Sequence, residues 1–131
     1  MAAVTSGTPL GASHADLDAV EAIVRAAGTS FYRGMRVLPP DRRHAMYAIY
    51  AFCRMVDDIA DEEAPFDAKL PQLATWRERV AGLYRSQSDG PVTRVLVAAV
   101  QRFDLRQDDF LAVIDGMQMD AETAIIARKS S

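Results

Sequence analysis

The sequence predicts an all-α protein, and three observations carry that prediction. Apolar residues recur at helical spacing in segment after segment, the pattern of helices that bury one face. No segment alternates apolar and polar residues in the way of a half-buried strand. Proline and glycine punctuate the boundaries, at Gly28, Pro39, Pro40, Pro65, Pro71, Gly90 and Pro91. About five helices with short antiparallel connections are expected, in a single domain over residues 14–131.

Residues 1–13 are rich in Ala, Ser, Thr and Gly and read as a disordered leader. Ser13 is a good N-cap, with Asp16 three residues on as an imperfect capping-box partner. Leu17, Val20, Ile23, Val24 and Ala27 then form a helical stripe that ends at Gly28. Thr29 to Leu38 is short and brings Arg33 and Arg36 close together. It reads either as a connector or as a helical turn whose N–H groups, with those arginines, suit an anion.

Asp41 to Glu62 reads as one long helix behind Pro39 and Pro40, with neither Gly nor Pro inside. A polar loop from Glu62 to Leu70 follows, and Pro71 is expected to open a third helix reaching about Arg85, with Leu73, Trp76, Val80, Leu83 and Tyr84 inward. Gln87 to Gly90 is a turn. Pro91 opens a fourth helix, with Val92, Val95, Leu96, Ala99, Val100 and Phe103 facing in. Asp108 is a plausible N-cap for a fifth, whose apolar set is Phe110, Leu111, Val113, Ile114, Met117 and Met119.

The long helix carries the functional signal. Tyr50, Arg54, Asp57 and Asp61 follow the spacing i, i+4, i+7, i+11 and fall in one stripe. Nearly everything else from Ala45 to Ala60 is apolar, so the stripe is expected to face a cavity. Asp57 and Asp61 repel each other one turn apart, and burial worsens the conflict. A divalent cation resolves it: Mg²⁺ takes one or two carboxylates and completes its shell with water and phosphate oxygens. Arg54 adds a planar donor fork suited to phosphate. The plainer reading is a solvated acidic helix end, and the spacing alone does not exclude it.

A net charge of −3 argues against nucleic acid as a partner. The single cysteine, Cys53, reads as a small buried hydrophobe in a reducing compartment. No apolar run approaches a membrane span and no signal peptide is evident. The expected location is cytoplasmic, with peripheral membrane contact left open.

Three motifs bring the sequence to a family. They are SFY at Ser30–Tyr32, MRVLPPDRR at Met35–Arg43, and AIYAFCRMVDDIADE at Ala48–Glu62; IDGMQMD at Ile114–Asp120 adds to them. From about Ala27 to Asp120 the chain resembles the squalene and phytoene synthase family, and within it the presqualene diphosphate synthases of hopanoid pathways. The resemblance implies the N-terminal part of the isoprenoid (terpenoid) synthase helical fold. It implies that Asp57 and Asp61 hold Mg²⁺ bridged to a diphosphate, with Asp58 in the motif but turned aside. It gives Tyr50 and Arg54 contact with the departing diphosphate and places Ser30 and Phe31 among substrate-binding residues, to which the anion reading adds Arg33 and Arg36.

The implied reaction joins two farnesyl diphosphates head to head into presqualene diphosphate; phytoene synthase, with geranylgeranyl diphosphate, is the alternative. The family domain is longer than this chain, and its second aspartate-rich motif has no counterpart here. The segment after Asp120, AETAIIARKSS, does not look like the family's continuation. The expectation is a truncated chain, inactive alone: a non-catalytic fragment, or one half of an enzyme completed by a C-terminal half.

Overall fold

In the computed structural model the described residues are 8–61 and 64–130, with Thr29 and residues 124–130 described as backbone. They form a 3-10 turn, Pro9–Gly11, and six α-helices: α1 (His14–Ala27), α2 (Thr29–Met35), α3 (Pro40–Asp61), α4 (Phe66–Leu83), α5 (Pro91–Phe103) and α6 (Gln107–Ser130). No strand occurs among the described residues, as the apolar spacing predicted. The additional helix is α2, the segment read as a connector or a single turn.

Helix α3 is the axis of the bundle. It packs against α1, α5 and α6, with α4 beside it, and α4 pairs with α6. Its buried face is Ala45, Tyr47, Ala48, Ala51, Phe52, Val56 and Ala60. The small residues let neighbouring helices approach closely, and the large ones fill the space between them. Phe52 is the hub: its ring meets Trp76 of α4 and Phe110 of α6 edge-on, at centroid distances of 5.5 and 5.3 Å. Trp76 is core, as its spacing predicted.

Local chemistry explains the boundaries. The Ser13 hydroxyl accepts the Asp16 N–H at 3.1 Å and caps α1. The Asp16 carboxylate does not complete a capping box. It turns to Arg94 of α5 in a bidentate pair at 2.8 and 2.9 Å, and that guanidinium holds the Asp16 carboxyl below its ordinary range. At the start of α5, Thr93 Oγ accepts the N–H groups of Asp89 and Gly90 at 2.9 and 3.1 Å. Asp104 closes α5 in the left-handed conformation, φ 52°, which a short polar side chain tolerates.

Several expectations about the elements need correction. Pro71 does not open α4; the helix begins at Phe66 and Pro71 lies inside it. The first turn carries Lys69, whose buried ammonium bonds the end of α3, and Pro71 gives up one backbone bond inside the helix. Asp108 sits in the first turn of α6, which starts at Gln107. Tyr84 and Met119, both expected to face inward, are 36% and 65% exposed; the Tyr84 hydroxyl instead donates to the Leu105 carbonyl at 2.7 Å.

Of the expected leader, residues 1–7 lie outside the described residues. Pro9–Gly11 instead docks on α3, where the Leu10 N–H donates to Asp41 Oδ1 at 2.9 Å. The other Asp41 oxygen lies 3.4 Å from Arg102 Nε.

Candidate functional site

The stripe Tyr50, Arg54, Asp57, Asp61 lies on the unbroken helix α3. The described residues do not enclose it in a cavity. Arg54 and Asp61 are exposed, while Tyr50 and Asp57 are half-buried. The physical reason is the direction of packing: α1, α5 and α6 gather on the face of Ala48, Ala51, Phe52 and Val56, and the charged stripe opens elsewhere.

Arg54 Nε lies 3.3 Å from Asp58 Oδ1, with the two side chains 47% and 60% exposed. Such a solvent-facing pair contributes at most about 0.5 kcal/mol, so the guanidinium is readily redirected to another anion.

Asp57 differs from its neighbours. Its carboxyl is pushed above the ordinary carboxylate range, first by partial burial and next by the Asp61 charge one turn on, against which Arg54 acts only in part. The two side chains are near enough for a hydrogen bond between them to contribute. Two hard oxygen donors of like charge one turn apart suit a divalent cation of the Mg²⁺ type, which draws few protein ligands and keeps its remaining positions for water and phosphate. The residues therefore fit Mg²⁺. They supply an open face rather than a cage: among the described residues no group of three or more His, Cys, Asp and Glu side chains is set to hold a metal.

Helix α2 brings one predicted partner to the stripe. The Phe31 ring stacks on the Tyr50 ring at 4.3 Å between centroids, with planes 22° apart. Ser30, at the start of α2, is exposed. Arg33 and Arg36 do not join the N–H groups of that helix start. Arg33 occupies the last turn of α2 and Arg36 its C-cap, both exposed, and the Arg36 carbonyl accepts from Arg43 at 3.5 Å.

Sequence reasoning missed a polar cluster behind α2. Tyr32 donates to Glu21 Oε2 at 2.8 Å, Arg25 donates to the same oxygen at 2.6 Å, and the Tyr32 ring stacks on the buried Tyr47 at 5.6 Å. Burial alone would raise the Glu21 carboxyl, but the donors Tyr32 and Arg25 bring it below its usual range. The cluster fixes α2 on α1 and α3 and so sets where Phe31 stands. Its signal in the sequence was faint: one of three acids on α1, Glu21, and a tyrosine inside the SFY motif.

Cys53 is half-buried rather than fully enclosed. It lines an apolar cavity of about 180 Å³ with Ile49, Phe52, Leu105, Phe110 and Val113, and burial pushes its thiol up.

The family model for squalene/phytoene synthase matches residues 24–129. The chain belongs to the squalene/phytoene synthase family. It is 47% identical over 104 residues to a presqualene diphosphate synthase of Sinorhizobium fredii, covering 79% of this chain and 37% of that protein. It is 48% identical over 110 residues to one of Zymomonas mobilis, covering 83% of this chain and 38% of that protein. A phytoene synthase of Mycobacterium tuberculosis is 35% identical over 102 residues, covering 78% of this chain and 33% of that protein. No solved structure gives a significant match.

The chain thus spans less than two fifths of the length of these curated relatives. One expectation is overturned: the segment after Asp120 lies within the family match, and the backbone of α6 continues through it to Ser130. No helix among the described residues is long and apolar enough to cross a membrane.

Proposed function

We propose that this chain contributes the first half of a Mg²⁺–diphosphate clamp for head-to-head coupling of two farnesyl diphosphates to presqualene diphosphate. The observation that carries the reading is the Asp57–Asp61 pair, two mutually opposed carboxylates on one helix face, with Arg54 one turn before them. Higher identity to presqualene diphosphate synthases than to phytoene synthases supports farnesyl over geranylgeranyl substrate.

A bound Mg²⁺ would supply the Lewis acid that eases departure of diphosphate. Asp57 and Asp61 would hold that charge at the end of α3, and Asp58 keeps Arg54 in reach. Arg54 then turns its donor fork to the departing diphosphate, and Tyr50 contacts the same group. The stacked Phe31 and Tyr50 rings present an apolar, π-rich wall to the allylic cation left behind. The second substrate's double bond attacks that cation, and loss of a proton closes the cyclopropane.

Among the described residues Arg54 and Asp61 are exposed and Tyr50 and Asp57 only half-buried, whereas a carbocation requires a dry pocket. The proposal therefore includes a complementing C-terminal half that covers the stripe and brings further carboxylates. The test is turnover of radiolabelled farnesyl diphosphate with Mg²⁺, by the chain alone and with the C-terminal part of a presqualene diphosphate synthase. Presqualene diphosphate from the pair, lost on Asp57→Asn or Asp61→Asn, is expected. Product from the chain alone would remove the need for a second half. Product indifferent to both substitutions would refute the clamp.

A further inference from the structure

Lys69 is the one buried charged side chain among the described residues, 5% exposed. Its ammonium donates to the Ala60 carbonyl at 2.7 Å. Ala60 lies in the last turn of α3, between Asp57 and Asp61. That turn has carbonyls with no partner inside the helix, and it carries the negative end of the helix dipole.

Satisfying one carbonyl does not require a cation. A neutral donor would do, and burying an ammonium costs several kcal/mol unless opposite charge compensates it. The opposite charge that its bond reaches among the described residues is the negative end of the α3 dipole. Lys69 belongs to the first turn of α4, so it also ties the last turn of α3 to a second, independently packed helix. The helix ends in a like-charge pair that destabilises it locally, which makes an external tie at this turn consequential.

We propose that Lys69 is a positioning residue: by holding the last turn of α3 it fixes the separation of the Asp57 and Asp61 carboxylates, and thereby sets their affinity for a divalent cation. The inference rests on the clamp reading above. Groups that orient metal ligands without touching the metal typically change affinity ten- to a hundredfold when removed.

The experiment uses Mn²⁺ as probe and follows paramagnetic broadening of the Asp57 and Asp61 carboxyl resonances. Lys69→Met is expected to weaken Mn²⁺ binding about tenfold, while a core control in α5, Val95→Ala, leaves it within about twofold. Equal affinities in the two variants would overturn the role of Lys69 and leave the clamp standing. No broadening at either aspartate in the unsubstituted chain would overturn both.

Should Lys69→Met not fold, amide exchange on the unsubstituted chain decides. Coupling is reciprocal, so Mg²⁺ must slow exchange in the first turn of α4, at Ala68 to Leu70, as well as at the end of α3. Slowing confined to α3 would refute the proposal.

Discussion

The Phe31 and Tyr50 rings lie face to face, 4.3 Å apart and 22° from parallel. Phe31 comes from the seven-residue helix α2 and Tyr50 from the middle of α3, so this contact joins α2 to α3 at the stripe. Such a pair contributes about 0.5–1.5 kcal/mol beyond the area it buries. Phe31→Ala is expected to lower unfolding free energy by about 1–3 kcal/mol. Tyr50→Phe keeps the stack and should stay within about 0.5 kcal/mol of the parent. Urea unfolding of both variants checks the pair.

Phe52 joins α3 to α4 and α6 through Trp76 and Phe110 and is fully buried. Phe52→Ala should cost about 3–5 kcal/mol, a large part of the total for a small domain. The expected result is a cooperative transition lost or strongly shifted in thermal melts followed by circular dichroism.

Asp57 is held above its ordinary pKa by burial and by Asp61. The sign follows from linkage: the folded chain binds this proton more tightly than the unfolded one, so the group's penalty is greatest at neutral pH and is relieved as pH falls through its folded pKa. Asp57→Asn in metal-free buffer should therefore stabilise the fold at pH 7 by a few tenths of a kcal/mol, about the size of a like-charge pair one turn apart. The gain should vanish toward pH 3. Melting temperatures across that range, with chelator present, measure it.

His44 behaves oppositely. Burial, and then the neighbouring Arg43, hold its pKa below the ordinary 6.5, and its ring meets Tyr47 edge-on at 5.4 Å. The unfolded chain takes up this proton first, so stability falls as pH drops below about 6.5. His44→Gln should flatten that part of the pH–stability curve. An unchanged slope between pH 7 and 5 would assign the acid sensitivity to other groups.

The fold class was legible because its signal is local. Leu17, Val20 and Val24, or Val92, Val95, Leu96 and Ala99, declare their helices by spacing alone, and all seven are buried. The stripe from Tyr50 to Asp61 was legible for the same reason, since one helix holds all of it.

What depends on other helices was not. That the described residues do not enclose the stripe follows from where α1, α5 and α6 pack, which spacing on α3 cannot show. Pro71 looked like a helix start because proline suits the first turn; the helix starts at Phe66, and the bond from Lys69 to Ala60 in that first turn joins two elements. The turn of Asp16 away from its own cap likewise depends on Arg94, 78 residues away. At the positive end of α3, His44 meets Tyr47 and Arg43 meets the Arg36 carbonyl, contacts that spacing on α3 alone does not show.

The central claim is that Asp57 and Asp61 act together on Mg²⁺ and a prenyl diphosphate. The most direct measurement is calorimetric titration of the chain with a non-hydrolysable farnesyl thiodiphosphate, with Mg²⁺ and with chelator. The account predicts binding that requires Mg²⁺ and is lost in Asp57→Asn and in Asp61→Asn, while both variants remain folded. Binding of equal strength in chelator, or in either variant, would contradict it.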